Sequence, residues 1–233
     1  MSITIDQGDL GVANSVGNLN SVTVTTTAIA AAGSFIVLQT STFGSTSALT
    51  SVSGGGLTWV VDRGHLGAAS FRKGFARAYA PSGLASGTVI TPTFDIVDNV
   101  SYTFGLTSLL GVKTSSPLDV ANAEGGGQTF SGTNAWNTST LAIQAGSILL
   151  GAASKDDAST SNTPTAPSAD AWDIGGECLS YRIESSAGSY AVAGTFQGVT
   201  SGVTIFAGAI AYLAEPGGPP PAGSTFITPT RVF

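Results

Sequence analysis

Apolar and polar residues alternate with a period of two along most of this chain. The segments SVTVTTTAI (21–29), SFIVLQTST (34–42), GTVITPTFD (87–95) and SYTFGLTSLLGV (101–112) carry the pattern in the first half. In the second half it runs through STLAIQAGSILLGAAS (139–154), SYAVAGTF (189–196) and GVTIFAGAIAYL (202–213). Side chains of a strand point alternately to its two faces, so this period predicts strands that turn one face to a core. No segment shows a helical period, and Gly, Thr and Val are poor helix formers. Clusters of Gly, Pro, Asn and Ser separate the segments as turns. Many short strands in succession predict an all-β, jelly-roll-like β-sandwich.

The chain also repeats itself. AGSFIVLQTS (32–41) returns as AGSILLGAAS (145–154). Gly33 precedes Trp59 by 26 positions, and Gly146 precedes Trp172 by the same 26. Phe94 precedes Phe104 by ten, as Phe196 precedes Phe206. Four landmarks recurring in order predict two internally repeated halves, about 20–112 and 134–213, within a sandwich spanning 1–213. Each half offers one apolar-faced sheet that cannot bury itself alone, and stacking the two covers both. On this reading Trp59 and Trp172 are matched plugs of one core. The alternative is two small sandwiches joined by residues 113–133, each with a thin core. The halves differ in one place: Trp59 to Phe94 is 35 residues and Trp172 to Phe196 only 24, an excess of eleven around RGHLGAASFRKGFAR (63–77).

Residues 214–233 break the pattern. AEPGGPPPAGS (214–224) cannot join a ladder, because Pro lacks the donor and fixes φ, so it reads as a semi-extended linker. TFITPTRVF (225–233) then has strand character, and makes a docking arm of Phe226, Ile227, Thr228, Pro229, Arg231, Val232 and Phe233. Adding such a segment to an open sheet edge supplies main-chain hydrogen bonds and satisfies an edge that otherwise pairs indiscriminately.

Composition narrows the function classes. Only 9% of the 233 residues are charged and the net charge is −6, with eight Lys and Arg in all. A general nucleic-acid binder needs a field of cations to displace counterions, which this chain lacks. The apolar run 202–214 is shorter than a membrane span, and MSITIDQGDLG lacks the basic and apolar regions of a signal peptide. One Cys (Cys178) and one His (His65) exclude an intrachain disulfide and a Cys/His zinc site. A surface so poor in charge fits a protein packed into an assembly.

Candidate chemistry is sparse, and the expectation is a protein with no catalytic residues, cofactor or bound metal. His65 is the only imidazole and there is no G-x-S-x-G elbow for a serine hydrolase. No pair of carboxylates is singled out by spacing for glycoside hydrolysis. The GGG triplets at 54–56 and 125–127 lack the Lys-Ser/Thr of a phosphate-binding loop. Asp156 and Asp157 in KDDASTSN (155–162) stand on an oxygen-rich loop of the kind that holds Ca²⁺, but the spacing is not that of an EF-hand and solvated loop acids are the commoner reading. Trp136, flanked by Asn134 and Asn137, is the aromatic best placed to stack on a sugar ring, unless it caps the core. Arg63, His65, Arg72, Lys73 and Arg77 concentrate positive charge on a net negative chain and read as a basic contact loop for an acidic protein surface, or equally as a solvated hairpin.

The texture of residues 20–213 resembles a known class. A Gly/Ala/Thr-rich sandwich with SGGGLTW after an AGS strand, followed by ARAYAPSG and SGTVITPTF, is similar to structural proteins of tailed bacteriophages and prophages. That resemblance implies a virion component, a head decoration or cement protein, made in the host cytoplasm. Its implied partners are other virion proteins, the major capsid or tail protein, and further copies of itself, with neither nucleic acid nor membrane. A tail or fibre component and a carbohydrate-binding adhesion module through Trp136 are the other readings.

Overall fold

The structure, a computed structural model, describes residues 2–43, 47–66, 71–121, 128–131, 133–155, 161–174, 176–197 and 204–216. Among these residues every regular element is a strand. In chain order the first half holds β1 (Thr4–Ser21), β2 (Val24–Thr25), β3 (Ser34–Phe43), β4 (Leu49–Gly54), β5 (Trp59–Leu66), β6 (Phe71–Ala80) and β7 (Val89–Leu110). The second begins with β8 (Leu118–Ala121), β9 (Gln128–Ser131), β10 (Ala135–Asn137), β11 (Leu141–Ile143) and β12 (Ile148–Lys155). It continues with β13 (Asn162–Pro164), β14 (Ala169–Ile174), β15 (Glu177–Ile183), β16 (Gly188–Tyr190), β17 (Ala193–Phe196) and β18 (Thr204–Tyr212).

Two antiparallel sheets dominate. The first has the order β1-β7-β3-β6-β5, with β2 and β4 also on β7. The second has the order β8-β18-β12-β15-β14, with β9 also on β18. Small sheets β10-β17-β13 and β11-β16 complete the second half. The two large sheets pack face to face as a sandwich. Phe35, Val37, Phe75 and Leu109 of the first meet Ile148, Leu150, Leu179, Ile210 and Tyr212 of the second, in a core we call the seam.

Each large sheet carries another core on its outer face. In the first half Ile36, Leu38, Tyr102, Phe104 and Leu106 pack beneath Leu49, Ile90 and Phe94. In the second, Leu149, Ala153, Ala207 and Ala209 pack beneath Trp136, Leu141, Val192 and Phe196. The molecule therefore has the inter-sheet core expected of one sandwich and, in addition, a core belonging to each half. Strand β12 is buried at every position because both its faces are covered. That double burial explains why the apolar runs FIVL and ILL do not alternate.

The two similar AGS segments build the same turn. Gly33 and Gly146 stand just before β3 and β12 with φ of 81° and 82°, a conformation that a Cβ makes costly. There Gly33 N donates to Ala80 O and Gly146 N to Glu184 O. A carboxylate locks each turn. Asp6 Oδ2 accepts from Ala31 N and Ser34 Oγ, and Asp119 Oδ2 accepts from Gln144 N and Ser147 Oγ. Each Asp lies 28 residues before its Ser, outside the boundaries that the text of the sequence indicates for the halves.

The matched tryptophans do not plug one core. Trp59 stands opposite Ala78, two residues before Ala80, whereas Trp172 stands opposite Leu179, five before Glu184. Two and five differ by an odd number, so the rings face opposite sides of their sheets. An irregularity between Asp170 and Trp172 produces the shift. Trp59 lies half-buried against the outer core of the first half, and Trp172 enters the seam.

Candidate functional site

The five residues of the expected basic contact loop lie on two paired strands, and none of them is fully exposed. Arg63 and His65 lie on β5, and Arg72, Lys73 and Arg77 on β6. Alternation places Lys73, Phe75, Arg77 and Tyr79 on one face of β6, turned toward the seam. Lys73 is 1% exposed, and Arg63, His65, Arg72 and Arg77 are half-buried. Arg77 is ion-paired to Asp62, whose Oδ2 accepts a hydrogen bond from Tyr212 Oη of the opposite sheet at 2.8 Å. Burial raises the Asp62 carboxyl above its ordinary pKa, and the Arg77 guanidinium and Tyr212 hydroxyl partly offset this. Arg63 donates to the carbonyl of Asp62 at 2.8 Å. Lys73 is buried and Arg63 and Arg77 bond within the fold, which corrects the contact-loop expectation for these three.

Trp136 is likewise interior. It is 2% exposed on β10, between exposed Ala135 and Asn137, and tilts against Phe196 at 6.4 Å. Its Nε1 donates to Asn162 Oδ1 at 2.9 Å, and Asn162 Nδ2 donates to Asp170 Oδ1 at 2.8 Å. A sugar ring has no indole face to stack on, so the glycan reading of Trp136 is withdrawn. Asn137 is exposed and Asn134 half-buried. Asp156, Asp157 and the arm residues Phe226, Ile227, Thr228, Pro229, Arg231, Val232 and Phe233 lie outside the described residues.

The most concentrated chemistry is a cluster that no motif announces. In the seam, Lys73 Nζ of β6 lies 2.6 Å from Glu177 Oε2 of β15, with both side chains at 1–2% exposure. Lys73 Nζ also donates to Ser41 Oγ at 2.6 Å, and Ser154 Oγ donates to Glu177 Oε2 at 2.6 Å. Burial pulls the Lys73 ammonium below its usual pKa, and the Glu177 carboxylate pulls it back up. Glu177 Oε1 is buried without a hydrogen-bond partner among the described residues. Neither charge meets solvent, so the cluster joins two sheets rather than processing a substrate. The available signal is the alternation of β6, which sets Lys73 on the face of Phe75, two residues on.

Among the described residues, few charges stand fully exposed. Of the seven described basic residues, Lys73 and Lys155 are buried and Arg63, Arg72, Arg77, Lys113 and Arg182 half-buried. Arg182 is paired to Glu184 and lies over the Tyr190 ring, and Lys155 lies over Phe196. Among carboxylates with described side chains, only Asp9 and Asp95 are exposed. The outer surface is thus made chiefly of Ser, Thr, Gly, Ala and Asn. Comparison with known proteins finds no protein-family model, no curated protein and no solved structure that matches the chain.

Proposed function

We propose that this chain is a non-enzymatic structural protein of a tailed-phage virion, a head decoration or cement protein that clamps a lattice. The observation that carries the reading is the scarcity of fully exposed charge among the described residues. Ordinary soluble domains keep about a quarter of their residues charged, for colloidal stability. Here few of the described charges stand fully exposed, and the exposed residues are chiefly uncharged Ser, Thr, Gly and Ala, a skin that packs against protein with little desolvation of ions. Three stacked cores support the same role by making the block stiff. The tail or fibre position differs only in partner, and no separate observation favours it.

The test is to fractionate particles of the phage that encodes the chain into heads and tails. We expect the full chain to travel with heads and to stay attached through a high-salt wash, because none of the described cations is fully exposed for salt to screen. Recovery only as free protein, or release by salt, would overturn the reading. A chain ending at Ala214 tests whether the C-terminal arm is required for that attachment.

A further inference from the structure

The seam has the internal geometry of a two-fold contact. Ser41 and Ser154 each lie seven residues beyond the serine that closes the turn of their half, Ser34 and Ser147. Ser41 stands opposite Lys73 in the first sheet, and Ser154 stands opposite Glu177 in the second. Across the seam these counterparts meet each other. Ser154 Oγ is 3.4 Å from Ser41 Oγ, and Lys73 Nζ is 2.6 Å from Glu177 Oε2. Away from this point the strands exchange partners: Trp172 of β14 lies on Gly105 of β7, and Leu66 of the corresponding strand β5 lies on Gly208 of β18, the register counterpart of Gly105. In a self-complementary contact, a residue on the axis meets its own counterpart, and off the axis i meets j while j meets i. Both patterns occur here.

At the axis, however, the halves are not alike. A first half seated on another first half would bury Lys73 against a second Lys73. Two second halves would bury Glu177 against Glu177. A buried charge without its opposite is strongly destabilising, whereas a matched buried pair is near neutral against an apolar core. We propose that Lys73 and Glu177 form a pairing code, which makes the two halves of a chain select one another and bars contacts between like halves. Discrimination of this kind works through the repulsive alternative as much as through the attractive one. The code is independent of what the assembled protein binds. It matters wherever newly made copies are crowded and their sheets have similar faces. Ser41 and Ser154 complete it by hydrogen-bonding the two ions in place.

Charge reversal in the full chain reads the code directly. Glu177→Lys places two lysines at the axis and Lys73→Glu places two carboxylates there, reproducing within one molecule the seams that like halves would make. Thermal melting followed by circular dichroism should fall by about 10 °C or more for each single reversal. The double reversal, Lys73→Glu with Glu177→Lys, should recover more than half of that loss. A Lys73→Met/Glu177→Met chain should melt within a few degrees of the native protein, because an apolar pair carries no repulsion. Single reversals that melt with the native protein would overturn the proposal. So would a double reversal that remains as low as the singles, or a Met pair that falls as far as they do. If the single reversals yield no folded protein, the double reversal and the Met pair decide the question alone.

Discussion

Gly105 offers a graded test of how tightly the seam is packed. It lies on β7 under the indole of Trp172, and a Cβ built there falls well inside 3.0 Å of Cε2, Cζ2 and Nε1 of that ring. Those atoms belong to a rigid plane that is only 4% exposed, so the ring cannot move aside without parting the sheets. Overpacking a dense core costs roughly 1–3 kcal/mol, and a clash with a rigid ring belongs at about the upper end. For a chain of this size about 3 kcal/mol corresponds to a melting point lower by roughly 6–12 °C. Gly208 is the internal control. A Cβ there meets Leu66 Cδ1 at 3.0 Å and Leu66 Cβ at 3.3 Å, an approach relieved by a shift of a few tenths of an ångström in that side chain. Its small strain is offset by the ~0.4–1 kcal/mol that Gly→Ala gains from the unfolded state. Gly208→Ala should therefore melt within about 3 °C of the native protein. Differential scanning calorimetry of both variants checks the reasoning. A Gly105→Ala protein that melts with the native one, or an equal fall for Gly208→Ala, would show that the indole does not lie flush on the β7 backbone.

Trp136→Ala should cost about 3–5 kcal/mol, the usual penalty for emptying a buried indole site, and Trp136→Phe less, because it removes chiefly the bond to Asn162. Denaturant titration measures both, and an unchanged midpoint for Trp136→Ala would place the ring outside the core. Asp62 sets a pH dependence whose sign follows from its raised pKa. Between the ordinary value of 3.8 and its folded value, the native state holds a proton that the unfolded chain has released. Stability from this group is present below 3.8 and is lost as pH rises through the folded pKa. Melting of Asp62→Asn should accordingly improve relative to the native protein across that window, and a gap that stays constant or moves the other way contradicts the burial argument.

The sequence was a good guide to strands and turns and a poor one to faces. The turn glycines Gly33 and Gly146 were legible because a repeated AGS ahead of an apolar run has a local cause. Nothing local distinguishes Trp59 from Trp172, since a shift of register inside β14 decides which side each ring takes. Lys73 was misplaced for a different reason. Charge in a polar-looking stretch suggests solvent, yet its position on the Phe75 face puts it in the seam, where a glutamate 104 residues away makes it tolerable. Trp136 shows the same limit, because an indole flanked by asparagines reads as exposed until the alternation of β10 is known. Long-range pairing of this kind leaves no trace in spacing.

Strand β7 has a consequence for how the first half comes apart. Its residues Val89–Phe94 pair with β2 and β4, and Ser101–Leu110 pair with β1 and β3. Ile90 and Phe94 line the outer core, Tyr102 and Phe104 floor that same core, and Leu109 faces the seam. One continuous backbone ladder is thus common to two hydrophobic compartments. Local opening events in folded proteins tend to release contiguous cooperative units. Here one strand carries residues of both compartments, so opening the outer core at Ile90 and Phe94 loosens the strand that also holds Leu109 in the seam.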